Sequence, residues 1–174
     1  ANTFTIPGDV RANYLYMDGQ EDTITDIGAF TQGIGITKWR NLNRDSTAGV
    51  EPGTFVDIDF PMFRLADFYL MYAEAAVRSG SNVATGVGYF NQVRQRVSMQ
   101  PIQASGSALL DAIAHERRME LATEGHRFFD LVRTGKASEV LSAKGFVANK
   151  HEWLPVPQTE LDAAQGALTQ NPNY

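Results

Sequence analysis

The sequence contains no cysteine, which excludes a disulfide framework, a zinc–thiolate site and a thiol nucleophile. It has no run of about 18 apolar residues, so no segment reads as a membrane-spanning helix. No signal-peptide pattern opens the residues given. Cations are in the minority: 15 Lys and Arg stand against 20 Asp and Glu, a net charge of −5. That balance argues against nucleic acid or an anionic membrane as partner, since both call for a basic surface. Histidine is scarce, and the three present are scattered. His115-Glu116 resembles the start of an H-E-x-x-H zinc helix, but Met119 holds the second histidine's place, and His126 and His151 lie too far along. Gly33-Ile34-Gly35 and Gly86-Val87-Gly88 lack the third glycine and the Lys-Ser/Thr of phosphate loops. There is no G-x-S-x-G elbow and no evident Ser-His-Asp set. No cofactor and no metal is expected.

What the sequence does have is one dense stretch, 107–135, SALLDAIAHERRMELATEGHRFFDLVRTG. Ser107 reads as a helix cap, Asp111 lies in the first turn, and Gly125 and Gly135 read as C-terminal stops. A helix of about four to five turns is expected between Ser107 and Gly125. Leu109, Leu110, Ile113 and Leu121 share a face at 100° per residue, with Arg117 in its middle and Glu120 and Glu124 on it. Arg118 and Ala122 point away. Unpaired charge in a core is costly, so Arg117, Glu120 and Glu124 are expected to form a buried network, or Arg117 to pair with a charge from another helix.

Around this stretch the pattern is mainly α. Residues 1–61 are glycine-punctuated and loop-rich, with short strands expected around Tyr14–Tyr16, Ile34–Ile36 and Val56–Phe60. A first helix, 62–79, is apolar over most of its circumference, so it should pack on more than one side. Its Phe68 and Tyr72 are expected to share a core with Phe90. Thr85 can cap a second helix, roughly 86–98. The two should be antiparallel neighbours in a tetratricopeptide-like hairpin. Residues 107–134 form a second helical pair, with a reversal at Gly125. A short helix follows near 137–144. The tail, 146–174, reads as an extended strap with one helical turn at Gln158–Ala163. The whole, 1–174, is expected to be a single domain with its helical core at 62–145.

Two constellations could carry chemistry. Glu116, Glu120 and Glu124 step along one helix side, as acid/base carboxylates could. Beside Arg117, Arg118 and Arg127, however, they read as an ion-pair network. Asp18, Glu21, Asp22 and Asp26 supply oxygen ligands that suit calcium, but their spacing is not that of an EF-hand, which favours a solvated acidic turn. Trp39, Tyr14 and Tyr16 have Asn, Asp and Arg neighbours. They are candidates for stacking on a sugar ring, as is Trp153 before the proline strap, and for each ordinary core packing is the favoured reading.

Glu116-Arg117-Arg118-Met119-Glu120-Leu121-Ala122-Thr123-Glu124-Gly125-His126-Arg127, continuing to Asp130-Leu131-Val132-Arg133, resembles the C-terminal signature of the SusD/RagB family. Three further segments agree in order: the helix Arg64–Ala75 with Arg64, Ala66, Asp67 and Leu70-Met71-Tyr72-Ala73-Glu74-Ala75, the run Asn91–Arg96, and the tail Leu154-Pro155-Val156-Pro157 with Leu168–Tyr174. Asp9-Val10-Arg11 and Lys38–Asn41 match more loosely. The resemblance implies the C-terminal part of a longer surface lipoprotein of Bacteroidetes. It implies a binding protein rather than an enzyme, one that captures glycan for a SusC-like, TonB-dependent transporter in the outer membrane. The alternative is a helical scaffold docking that transporter, with no ligand contact in these residues.

Overall fold

The computed structural model describes residues 7–16, 25, 26, 32, 35, 36, 38 and 61–174. The described residues are mainly helical. The chain divides into two compact units, Ala1–Glu120 and Leu121–Tyr174. Trp39, the expected strand at 56–60 and three of the four acidic residues at 18–26 lie outside the described residues.

In the first unit a 3₁₀ helix, Val10–Tyr14, leads into β1, Leu15–Tyr16. β1 pairs antiparallel with β2, Gly35–Ile36, in the register Leu15 to Ile36 and Tyr16 to Gly35. Helix α1 spans Leu65–Ser79 and ends at Gly80, whose φ of 72° is the left-handed conformation glycine adopts without strain. α2 spans Val83–Arg96, so Thr85 falls inside its first turn rather than capping it. Its C-terminus closes with Ser98 N–H donating to Gln95 O at 3.1 Å and Met99 N–H to Arg94 O at 3.0 Å, a Schellman arrangement. α3 spans Gly106–Glu120, which places Ser107 within the helix and Ser105 O as acceptor from Leu109 N–H at 3.4 Å.

α1 and α2 are antiparallel. Tyr69 stacks on Tyr89 at 4.6 Å between ring centroids, and a turn or two further along α1, Ala73 and Ala76 meet Gly86 near the start of α2. Leu70, Ala73, Phe90, Val93, Leu109 and Ile113 form the core that joins α1, α2 and α3. Asn91 fixes the α2–α3 connection to this core: its side chain accepts from Ile102 N–H at 2.9 Å and donates to Ile102 O at 3.3 Å.

Phe90 is fully buried, but Phe68 and Tyr72 are 54% and 41% exposed, contrary to the expectation of a shared core. α1 is rotated relative to its hydrophobic pattern. It turns Asp67 and Glu74 inward beside Leu70 and Ala73: Asp67 meets Arg117 of α3 at 2.8 Å, and Glu74 keeps Arg78, one turn on in the same helix, at 2.8 Å.

Gly86 sets the approach of α1 to α2. A Cβ there would lie 2.9 Å from Ala76 Cβ and 3.2 Å from Ala73 Cα. Gly86→Ala gains about 1 kcal/mol of helix propensity. It also overpacks a contact whose neighbours are small and partly backbone, at about 1–3 kcal/mol. The expected outcome is a net loss on the order of 1 kcal/mol, read from the urea midpoint. A more stable variant would show that the close approach is not a constraint.

In the second unit, α4 spans His126–Arg133 and ends in a Schellman motif at Gly135, with Lys136 N–H donating to Leu131 O at 2.8 Å and Gly135 N–H to Val132 O at 3.0 Å. α5 spans Ala137–Leu141 and continues as a 3₁₀ turn to Lys144; α6 spans Gln158–Ala163. The proline-rich run at 153–157 has no sheet partner among the described residues, so side chains satisfy its backbone. Gln170 accepts from Val156 N–H at 2.7 Å and donates to Val156 O at 2.9 Å. Asn171 donates to Leu154 O at 2.6 Å and the Tyr174 hydroxyl to Trp153 O at 2.9 Å. The closing Gln, Asn and Tyr residues of the sequence are thus the clamps of the strap. Phe128, Phe146, His151 and Tyr174 follow one another in ring contact, and Lys150 Nζ sits 4.8 Å over the Tyr174 ring.

Candidate functional site: a buried ionic network

The inward face of α3 carries charge where its periodicity places apolar neighbours. Glu116, Arg117 and Glu120 are all buried. Helical spacing sends them to different partners.

Glu116 is held between two arginines. Arg11 Nη1 lies 2.6 Å from one carboxylate oxygen and Arg94 Nη1 2.9 Å from the other. Arg94 also donates through Nε to Gln100 O at 2.9 Å, and its guanidinium lies 5.7 Å from the Phe90 ring centroid. Arg11 in turn is clamped by Asp9, with Nη2 at 2.6 Å from Oδ2 and Nε at 2.9 Å from Oδ1. The 3₁₀ turn at Val10–Tyr14 makes this possible, because Arg11 N–H also donates to Asp9 Oδ1 at 2.9 Å.

Glu120 is met from three directions. Arg64 Nη1 and Arg96 Nη2 approach Oε1 at 2.6 and 2.5 Å, and Arg11 Nη1 lies 3.5 Å from Oε2. Its backbone carbonyl accepts from Arg64 Nη2 at 2.6 Å and Lys38 Nζ at 3.0 Å. Two cations therefore sit at the negative end of α3, where the helix dipole favours them.

Arg117 Nη1 lies 2.8 Å from Asp67 Oδ1 of α1. This is a pairing to a charge from another helix. Glu124 is buried in the turn after α3, so the three glutamates do not continue along one helix as the sequence suggested. The sequence reading missed Asp9, Arg11, Arg64, Asp67 and Arg94 as network members. All five lie in the very motifs that carry the family resemblance, which was the available signal. Of the stacking candidates, Tyr14 ends the 3₁₀ helix and Tyr16 ends β1.

The network pairs its charges internally, with Glu120 Oε2 the one buried oxygen among its described members that has no hydrogen-bond partner, 3.5 Å from Arg11 Nη1. Burial pushes the Asp9 carboxyl up, but hydrogen bonds from the Arg11 side chain and backbone outweigh it, and the group ends below its ordinary value. Burial works to lower Arg11, while Asp9 and Glu116 raise it, with a net rise. Asp9 therefore contributes stability that is complete above the unfolded carboxyl value of about 3.9 and is lost as pH falls through its lower folded value. Asp9→Asn should remove that part of the acid dependence: the wild type loses stability on acidification below about pH 4, and the variant loses less over the same range. Parallel stability–pH curves for the two proteins would contradict this.

Each oxygen of the buried Glu116 carboxylate is engaged by a guanidinium, and a guanidinium keeps its own proton near neutral pH. No grouping of three His, Asp or Glu among the described residues could hold a metal ion. The arrangement ties segments together; it defines a helical scaffold cross-linked by buried arginine–carboxylate pairs.

The SusD family model matches residues 5–152, and the chain belongs to the SusD family. The starch-binding protein SusD of Bacteroides thetaiotaomicron is 36% identical over 152 residues, covering 84% of this chain and 24% of that protein. A laminarin-binding SusD-like protein of known structure is 51% identical with a TM-score of 0.56, over 64% of this chain and 22% of that one. A SusD homologue from Bacteroides thetaiotaomicron is 28% identical and superposes with a TM-score of 0.74 over 98% of this chain and 36% of its own. The chain thus spans about a quarter of the length of the curated relatives it matches.

Proposed function

We propose that these residues are the C-terminal part of a SusD-type surface lipoprotein that captures oligo- or polysaccharide for uptake by a TonB-dependent, SusC-like transporter of the outer membrane. The observation that carries the reading is family membership, joined to relatives named for binding starch and laminarin. Both units belong, in this reading, to one C-terminal domain, and α1–α2 is a tetratricopeptide-like hairpin within it. The network supports a scaffold role for α1, α2 and α3, since each charged group described in it is paired with another part of the chain. The part these residues play in this reading is to hold the binding protein's shape, not to turn over substrate; the alternative is a helical scaffold that docks the transporter without ligand contact in these residues. Trp39, Tyr14 and Tyr16 are candidate positions for sugar stacking, with Trp153 beside them as a further aromatic suited to it.

Calorimetry with soluble starch and laminarin tests the reading. The 174-residue chain should bind weakly or not at all, because a partial site bears extra ordering cost, while the gene product as its source cell makes it binds clearly. Equal affinity would place the site inside 1–174 and make Trp39, Tyr14 and Tyr16 the first positions to mutate. Release of reducing sugar by either protein would overturn the non-enzymatic reading.

A further inference from the structure

The turn after α3 carries strain that its sequence does not call for. Leu121, Ala122 and Glu124 are compatible with a helix and continue the pattern of α3 as far as Gly125. The helix nevertheless ends at Glu120, and Thr123 takes a φ of 70°. For a β-branched residue that conformation is an outlier, because the side chain crowds its own backbone. Thr123 is exposed, so the packing of its side chain does not impose it. The cause lies at Glu120. In a longer helix the Glu120 carbonyl would accept from Glu124 N–H. A carbonyl oxygen has two lone pairs, and here Arg64 Nη2 at 2.6 Å and Lys38 Nζ at 3.0 Å donate to it. Glu124 N–H donates to Leu121 O at 3.1 Å instead. Gly125, with φ 83°, already has the conformation that follows a helix end, so it suits a helix ending at Glu124 without changing its own backbone. Against the strain at Thr123 stands the burial of Leu121 and Glu124 in the turn.

We propose that Leu121–Glu124 is a two-state element, either this turn or the last turn of α3, and that Lys38 selects between them by holding or releasing the Glu120 carbonyl. Arg64 is the fixed member of the pair. It stands at the start of α1 and also holds the Glu120 carboxylate, at 2.6 Å. Lys38 is the movable one. It comes from the N-terminal region on a long flexible stem, and the next residue is Trp39, a candidate for sugar stacking. With Lys38 withdrawn, a lone pair of Glu120 O becomes open to Glu124 N–H, Thr123 moves to a helical φ without strain, and α3 gains a turn. The element is bistable because strain at one residue opposes burial at two others, so a single hydrogen bond tips it. A contact that draws residues 38 and 39 away from α3 is thereby felt by the residues that lead into α4. The switch itself does not rest on the glycan-binding reading; only glycan as its trigger does.

The test uses the gene product as its source cell makes it, labelled at threonine, and reads the Thr123 Cα and Cβ chemical shifts, which separate left-handed from helical backbone. Lys38→Met keeps the stem and removes the cation, and should move the shifts toward helical values. Lys38→Arg keeps a donor and should leave them as in the wild type. Unmoved shifts in Lys38→Met, or equal movement in both variants, would overturn the proposal. Thr123→Gly gives a second readout, because glycine suits the left-handed turn and disfavours a helix. It should raise the melting temperature of the wild type, and raise it less, or lower it, in Lys38→Met. An equal rise in both backgrounds would show that Lys38 and the turn are uncoupled, which also overturns the proposal. A fall in the wild type would do so alone, even where Lys38→Met does not fold. No glycan is present in these measurements, so their failure is distinct from a failure of the calorimetry with starch and laminarin.

Discussion

Arg117→Ala should unfold the first unit at far lower urea, with a loss of about 3–5 kcal/mol. Arg117 and Asp67 are 4% and 2% exposed, so neither is screened by water to the degree that makes surface pairs weak. Truncating the arginine leaves the Asp67 carboxylate in the α1–α3 interface with its 2.8 Å partner gone. That stranded charge, more than the lost attraction, sets the magnitude. The distinction is testable, because replacing both partners with apolar residues of similar size removes the pair without stranding either member. Arg117→Met with Asp67→Leu should therefore cost much less than the sum of the two single changes. A loss below about 1 kcal/mol for Arg117→Ala would mean that water reaches Asp67 and that the pair behaves as a surface one.

The same pair shows how far the sequence could be read. Leu109 and Ile113 on α3, and Phe90 and Val93 on α2, announce their helices by spacing, and all four are in the core. Gly80 and Gly135 announce helix ends and adopt the positive φ that such ends require. Periodicity also placed Arg117 inside. It could not name the partner, because hydrophobic pattern reports on one helix at a time, whereas Asp67 is 50 residues away and Arg11 is 105 residues from Glu116. The rotation of α1 was hidden for the same reason. Scored alone, Asp67 belongs on a polar outer sector; only with Arg117 of α3 in place does turning it inward become the lower-energy choice. The end of α3 is a third case. Gly125 looked like the stop, yet the helix finishes at Glu120, where Arg64 and Lys38 take the carbonyl that the next turn would have used. Segment identity was legible, as were the motifs that carry the network. The assembly of those motifs into one cluster is a tertiary fact.

Glu116→Ala should be comparably severe, and it distinguishes a network from a set of pairs. Glu116 is fully buried and is the shared acceptor for Arg11 and Arg94, which come from the N-terminal 3₁₀ turn and from α2. Removing it leaves two guanidiniums facing each other across the vacated carboxylate, both desolvated and of like sign. The cost should reach about 3–5 kcal/mol. Arg11 retains Asp9, whereas Arg94 retains the Gln100 carbonyl, so the two arginines do not suffer equally. Arg94 loses its charged acceptor and should release the end of α2. Glu116→Gln preserves shape and one acceptor oxygen, and should fall between wild type and alanine. Hydrogen exchange adds a local readout. Val10 N–H donates to Val97 O at 3.3 Å, the backbone link between the 3₁₀ turn and the C-terminus of α2. If Glu116 is what holds those two segments to α3, exchange at Val10 and at Met99 should accelerate in Glu116→Ala by more than the global loss of stability accounts for. In Arg117→Ala, which leaves the Glu116 contacts intact, it should follow the global loss alone. Identical exchange patterns in the two variants would mean that the charges act as independent pairs, each adding its own increment, and that the cluster does not bind the segments as a unit.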